Sequence, residues 1–320
     1  MILIPNSKGG ITMSRTRTSW ALAVLMVSCL MLAACAGQAK EETSQTHKVT
    51  HEAGTTNVPD NPKRVVALEF SFVDALDELG IEPVGIAQEN KDDVSGLLGK
   101  KISFTEVGTR QQPNLEVISS LKPDLIIGDF NRHKGIYKQL QQIAPTIILK
   151  SRNATYQENI ASFKSIAEAV GQTDKMDQRL ELHEERLAAA KQKVDPNDQR
   201  QIMVGVFRSD SLTAHGETSF DGELLEKMGI DNAITKTAEP TVTITLEQIV
   251  KWDPDVIFMA EADPKLLDEW KKNPLWNQIT AVKTGEVYEV NRDLWTRYRG
   301  LDAAEQIVDE AIQLLNQKNK

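Results

Sequence analysis

A fourteen-residue pattern occurs twice in this chain. Residues 114–127 read NLEVISSLKPDLII and residues 245–258 read TLEQIVKWDPDVIF, with Leu, Glu, Ile, Pro, Asp and a closing apolar pair in the same order and without gaps. Each copy describes a short amphipathic helix, a Pro-Asp turn and a buried strand that runs on into a loop. Glu116 and Glu247 hold the same helix position in the two copies. Two related α/β lobes, each with one matched carboxylate, point to a two-lobed molecule that docks symmetrically on a partner. Leucine-rich helices and Pro-Asp turns also recur by chance, so the rest of the chain has to decide.

The surrounding sequence keeps the same rhythm. Short apolar runs at residues 64–68, 83–87, 124–128 and 146–149 alternate with helix-like stretches such as 73–79. That alternation predicts a mainly parallel sheet covered on both faces. Gly171 closes a helix carrying Ile160, Phe163, Ile166 and Val170, and Thr173 then opens a long helix that ends before Asp195-Pro196. Met176, Leu180, Leu187 and Val194 form one stripe along it, with His183 on the same stripe. Twenty-two residues span about 33 Å, enough to cross from one lobe to another. Strands are expected again at 201–207, 256–260 and 286–290, before a closing helix at 301–315. The fold class is therefore α/β: two α/β lobes with mainly parallel sheets, residues 47–172 and 196–320, joined by one backbone helix at 173–195.

The N-terminal end specifies a compartment. Arg15 and Arg17 precede an apolar run over residues 20–34 that closes on Leu32-Ala33-Ala34-Cys35. A basic stretch, a short apolar core and small residues before a cut describe a secretory signal. The run falls short of the roughly 20 residues a membrane span needs; an uncleaved anchor is the alternative. Leu-Ala-Ala-Cys matches the bacterial lipobox, so Cys35 is expected to carry the lipid, and residues 35–46 to be a polar tether at the outer face of the cell membrane. Cys29 is the poorer candidate, because apolar Leu30, Met31 and Leu32 follow it. Met13 competes with Met1 as the start, since Lys8-Gly9-Gly10 is encodable as a ribosome-binding sequence just before it. Both cysteines lie in this region, leaving the mature chain no disulfide and no thiolate site. The whole chain carries −9, and the leader before Cys35 holds three basic residues and no acid, so the mature chain is near −12. That charge argues against nucleic acid or an anionic membrane surface as ligand.

In open parallel sheets, ligands bind beyond the carboxyl ends of the strands. Eleven arginines follow Cys35, and Arg110, Arg132, Arg152, Arg208, Arg297 and Arg299 all fall in loops after strands. An acidic protein that gathers its arginines at one edge is suited to an anion there, because guanidinium forks match carboxylates bidentately. Solvated loop charges paired with nearby acids are the alternative for any one of them. The expected site takes Arg110, Arg132 and Arg152 from the first lobe and Arg208, Trp295 and Arg297 from the second. Phe70, Phe72 and Tyr298 are candidate walls beside Trp295. His133, His183 and His215 are scattered, and His47 and His51 lack the Glu of HExxH, which disfavours a direct metal cage. There is no GxSxG elbow around Ser71, no GxGxxG and no Walker loop, so nothing calls for catalysis.

Residues 64–87 (RVVALEFSFVDALDELGIEPVGIA), 107–116 (VGTRQQPNLE) and 132–160 (RHKGIYKQLQQIAPTIILKSRNATYQENI) resemble the ferric dicitrate-binding proteins of ABC importers. More broadly, residues 50–318 resemble the iron-siderophore and cobalamin solute-binding proteins. The resemblance implies two lobes on one long helix, with the ligand in the cleft between them. It also implies that Glu116 and Glu247 dock against arginines of the permease. The expectation is a monomeric, non-enzymatic receptor for ferric citrate, without a cofactor, that works with a permease and its ATPase subunits. Direct iron ligation by Glu69 or Tyr298 is secondary to ligation by citrate. Another ferric siderophore, hydroxamate or catecholate, is the alternative ligand. An exported hydrolase on a two-lobed scaffold is the alternative of a different class.

Overall fold

The computed structural model describes residues 45–89, 94–208 and 211–317. The signal segment, Cys35 and nearly all of the expected tether lie outside them. The described chain opens with an antiparallel hairpin of β1 (Thr46–His51) and β2 (Gly54–Pro59). It begins one residue inside the expected tether and was not legible as strand, because only Val49 and Val58 point inward. Its histidines serve this packing. The His47 ring bonds Asp60 and the Glu168 carbonyl, and His51 Nε2 meets Thr56 Oγ1 at 2.9 Å.

The first lobe is an all-parallel sheet in the order β5-β4-β3-β6-β7. Its strands are β3 (Val65–Ala67), β4 (Gly85–Gln88), β5 (Thr105–Thr109), β6 (Leu125–Asp129) and β7 (Thr146–Leu149). All but β5 are buried along their whole length, which helices on both faces require and which their unbroken apolar runs supply. The second lobe is ordered β10-β9-β8-β11-β12, from β8 (Ile202–Phe207), β9 (Leu212–His215), β10 (Thr241–Ile244), β11 (Val256–Ala262) and β12 (Val287–Glu289). Here β8, β11 and β12 are parallel, but β9 runs antiparallel to both β8 and β10. The β9–β10 pair escapes the sequence pattern because each strand is four residues long and mixes threonine with apolar residues.

The linking helix runs Thr173–Lys191 and buries Met176, Leu180, His183, Leu187 and Ala190. Met176 and Leu180 enter the first lobe's core, and Leu187 and Ala190 the second's, so one helix is built into both. It ends three residues short of the expected Val194, because Lys193 and Val194 turn back onto Ala190 and Lys191 with short-range hydrogen bonds. His183 sits between the cores, its Nδ1 hydrogen-bonded with Glu305 at 2.7 Å and its Nε2 with the Tyr156 hydroxyl at 2.8 Å.

The closing helix, Leu301–Asn316, ties the two lobes together a second time. Most of its buried face belongs to the second core, but Leu301 belongs to the first. Its first turn has no cap from its own residues. Instead Asp74, on the first-lobe helix Phe70–Glu78, accepts from the Leu301 amide at 3.0 Å. Gly300 permits this approach: a Cβ there would lie 2.4 Å from the Asp74 carboxylate carbon.

Candidate functional site

The loops after the strands enclose a cavity of about 420 Å³. Arg110, Arg132, Arg152, Arg208, Trp295 and Arg297 all line it, and so do Arg292 and Arg299. Seven of the eleven arginines after Cys35 therefore share one cavity in an acidic protein.

Its buried wall is organised by Glu69. The β3 strand passes almost directly into the helix Phe70–Glu78, with Glu69 extended at the helix N-cap and its side chain not used for capping. The carboxylate is fully buried and faces Arg110 at 3.1 Å, Arg299 at 3.1 Å and Arg132 in a close ion pair. Burial alone raises a carboxyl's pKa, but Arg110, Arg132 and Arg299 outweigh it and hold Glu69 at about 2. Arg299 is buried too, which lowers it to about 10 and leaves it charged at neutral pH. Arg110 is further fixed by Glu89 at 2.9 Å and by stacking over Phe70, 4.2 Å from the ring centre.

Asp129 positions the adjoining loops. At the end of β6 it caps the short helix Phe130–His133 by accepting from the Arg132 amide at 2.8 Å. Its second oxygen accepts from the Ser151 and Arg152 amides at 3.0 and 2.9 Å, so one side chain places two cavity arginines. His133 is locked between them. Its Nδ1 accepts from the Asp129 amide, which leaves Nε2 to donate to the Arg110 carbonyl at 2.7 Å. Burial lowers its pKa and favours this neutral form.

The rest of the lining is more exposed. Among the described residues the Arg152 guanidinium has no carboxylate partner, and the side chain is exposed. Arg208 and Arg292 share Glu261, at 3.8 and 2.7 Å. Arg297 pairs with Asp293, one turn earlier, at 2.8 Å. Two threonines of β10, Thr241 and Thr243, and Thr213 of β9 complete the second-lobe side with His215. His215 Nδ1 is held by the buried Asp221 at 2.7 Å, so its other nitrogen is left for the cavity.

Several expectations need correction. Phe70 and Phe72 are core residues of the first lobe, because the helix starts three residues earlier than its periodicity indicated. Tyr298 packs edge-on against Phe70, 6.0 Å from ring to ring, outside the cavity lining. Trp295 reaches the lining but is only 1 % exposed; it packs tilted on Phe258 and donates to Glu310 at 2.6 Å, so it contributes only an edge to the wall. Glu69 is consumed by three arginines and is closed to direct iron ligation. Arg292 meets the loop criterion that selects Arg297 and belongs with it. His215 ends a strand that the sequence did not reveal. Among the described residues, no three His, Cys, Asp or Glu side chains gather as a metal cage.

Neither Glu116 nor Glu247 lines the cavity, and both are exposed. Each lies in the first turn of its helix, Leu115–Ser120 or Leu246–Trp252. A helix that follows a strand starts at the strand's carboxyl end. The two glutamates thus stand at the same edge of the sheets as the cavity, outside its lining.

Residues 65–294 match the profile of the periplasmic binding protein family. The Fe(3+)-citrate-binding protein YfmC of Bacillus subtilis is 45% identical over 305 residues, covering 93% of this chain and 96% of its own. The Fe(3+) dicitrate-binding periplasmic protein FecB of Escherichia coli is 37% identical, covering 84% and 90%. Among solved structures, Staphylococcus aureus SirA complexed with staphyloferrin B superposes with a TM-score of 0.74 at 26% identity, over 85% of this chain and 99% of that one. Two α/β lobes on a shared helix, an arginine-lined cavity and these matches agree: the chain belongs to the periplasmic binding protein family.

Proposed function

We propose that the chain is the extracytoplasmic receptor of an ABC importer, that it captures a ferric citrate complex, and that it hands the complex to the permease. The observation that carries this reading is the arginine-lined cavity, in which Arg152 has no carboxylate partner among the described residues and the remaining cations are held in place. Citrate oxygens supply hard ligands to the iron, and the carboxylates left at the outside of the complex are what guanidinium groups recognise. Arg152, Arg208, Arg292 and Arg297 are the groups assigned to contact them, with His215 as a further donor. Arg110, Arg132 and Arg299 share Glu69 and supply positive potential from behind. The binding family and its relatives give the chain no catalytic role; ATP hydrolysis belongs to a separate subunit. Glu116 and Glu247 are the assigned permease contacts, where paired charges set orientation and partner choice. Cys35 is the assigned lipid site. Its replacement by Ala is expected to release the protein or leave an uncut precursor, as read by membrane fractionation.

The test is a tryptophan-fluorescence titration with ferric citrate, iron-free citrate and a ferric hydroxamate. Ferric citrate is expected to bind tightest. Equal affinity for the hydroxamate, or indifference to replacement of every cavity arginine, rejects the citrate reading and favours the wider siderophore one.

A further inference from the structure

The second lobe carries a separate groove of about 330 Å³ beside Glu247. Its lining is mixed: buried Leu212, Ile244 and Leu246 form the floor, partly exposed Leu266 and Trp270 one wall, and Ser211, Thr245 and Asn273 the polar remainder, with Glu247 at the rim. The carboxylate there is fully exposed, and its own backbone amide and the Thr245 hydroxyl hold its pKa below the ordinary range. It is an anion at any neutral pH.

The groove lies back to back with the ligand cavity. In β9, Leu212 lines the groove and the next residue, Thr213, lines the cavity. In β10, Thr243 lines the cavity and Ile244 the groove. Successive side chains of a strand point to opposite faces, so the β9–β10 ribbon is the partition between the two. A partner seated in the groove is separated from the ligand by a layer one strand thick.

We propose that this groove receives a bulky apolar side chain of the permease, placed beside the arginine that pairs with Glu247. The inference rests on the docking role assigned to Glu247 and adds the contact that holds the complex once charge has oriented it. A rim anion next to the partly exposed Leu266 and Trp270 fits a cationic loop with an apolar anchor. A second copy of this chain, near −12 in its mature form, brings like charge to that rim.

The experiment uses the mature chain loaded with ferric citrate and the same cell's ferric citrate permease in lipid nanodiscs. Affinity is measured over a range of salt concentrations for the wild type and for Glu247→Ala, Leu266→Arg and Trp270→Ala. Trp270→Ala is expected to weaken docking about tenfold or more, as removal of a buried anchor pocket does, with the wild-type salt dependence kept. Leu266→Arg sets a positive charge against the partner's arginine and is expected to abolish docking. Glu247→Ala is expected to lose both affinity and salt dependence. Because Trp270 also packs against Phe207 and Trp276, thermal melts and ferric citrate affinity accompany each variant. Leu266→Arg, which keeps every tryptophan, decides if Trp270→Ala melts early. Wild-type docking by both groove variants alongside a defective Glu247→Ala overturns the groove and leaves the docking role of Glu247 standing. Wild-type docking by Glu247→Ala removes the docking role itself.

Discussion

The buried wall of the cavity and its exposed rim use the same side chain for different ends. On the buried wall, Arg110, Arg132 and Arg299 converge on Glu69, and all four groups are largely removed from water. Desolvating such a cluster is costly, and it persists because its charges are mutually paired. On the rim, Arg208 is 43 % exposed and lies 3.8 Å from a carboxylate that it shares with Arg292. Arg152 has no carboxylate at all among the described residues. Pairs of that kind contribute about 0–1 kcal/mol in water, so they are easily exchanged for a ligand's carboxylates. In the proposed reading, the arginines most deeply placed hold the wall, and those least engaged with carboxylates contact the ligand.

Glu69→Gln is the hardest test of that contrast. Leaving three buried cations without their anion is expected to cost about 3–5 kcal/mol, read by urea denaturation at neutral pH. The pH profile sharpens it. Glu69 titrates at about 2 against an ordinary 4.5, so it stabilises the fold above pH 4.5 and that contribution fades as pH falls towards 2. The limb is worth about 3 kcal/mol and is expected to be missing in Glu69→Gln. A variant as stable as the wild type at neutral pH, with the same loss of stability towards pH 2, makes the buried wall dispensable.

Arg152→Ala is expected to do the reverse. Its stability should stay within about 0.5 kcal/mol of wild type. Its ferric citrate affinity should fall by roughly 1.5–3 kcal/mol, the worth of a charge-assisted hydrogen bond, as measured by titration calorimetry. Arg208→Ala, whose pairing is loose and shared, is expected to lose about 1 kcal/mol of affinity or less. If Arg208→Ala binds far worse than Arg152→Ala, the free and shared cations have exchanged roles.

The sequence revealed the lobes, the linking helix and the edge where the arginines gather, because each depends on a local period or on a residue's place after a strand. Arg110, Arg132 and Arg152 were found by that rule alone. What it missed is non-local. The partner that turns Arg110 into scaffold is Glu69, distant in sequence, and nothing near Arg299 signals that it closes on the opposite lobe. His215 was hidden because its strand is only four residues long and mixes polar with apolar side chains, though it pairs with β8 just before it as well as with β10. Trp295 reached the lining as expected, but its depth was not legible, because aromatic character marks a wall without telling its face from its core.

The seam at Gly300 bears on the order in which the molecule assembles. Leu301, Arg299 and the amide capped by Asp74 all come from near the end of the chain, yet they complete the lobe made from its beginning. A nascent chain that leaves the ribosome N-terminus first therefore holds a first lobe with an open core, and a Glu69 paired only with Arg110 and Arg132, until residues 299–301 appear. Contacts of such sequence separation form late and slow the overall reaction. The first lobe thus closes its core and the Asp74 cap only once the final helix begins to form.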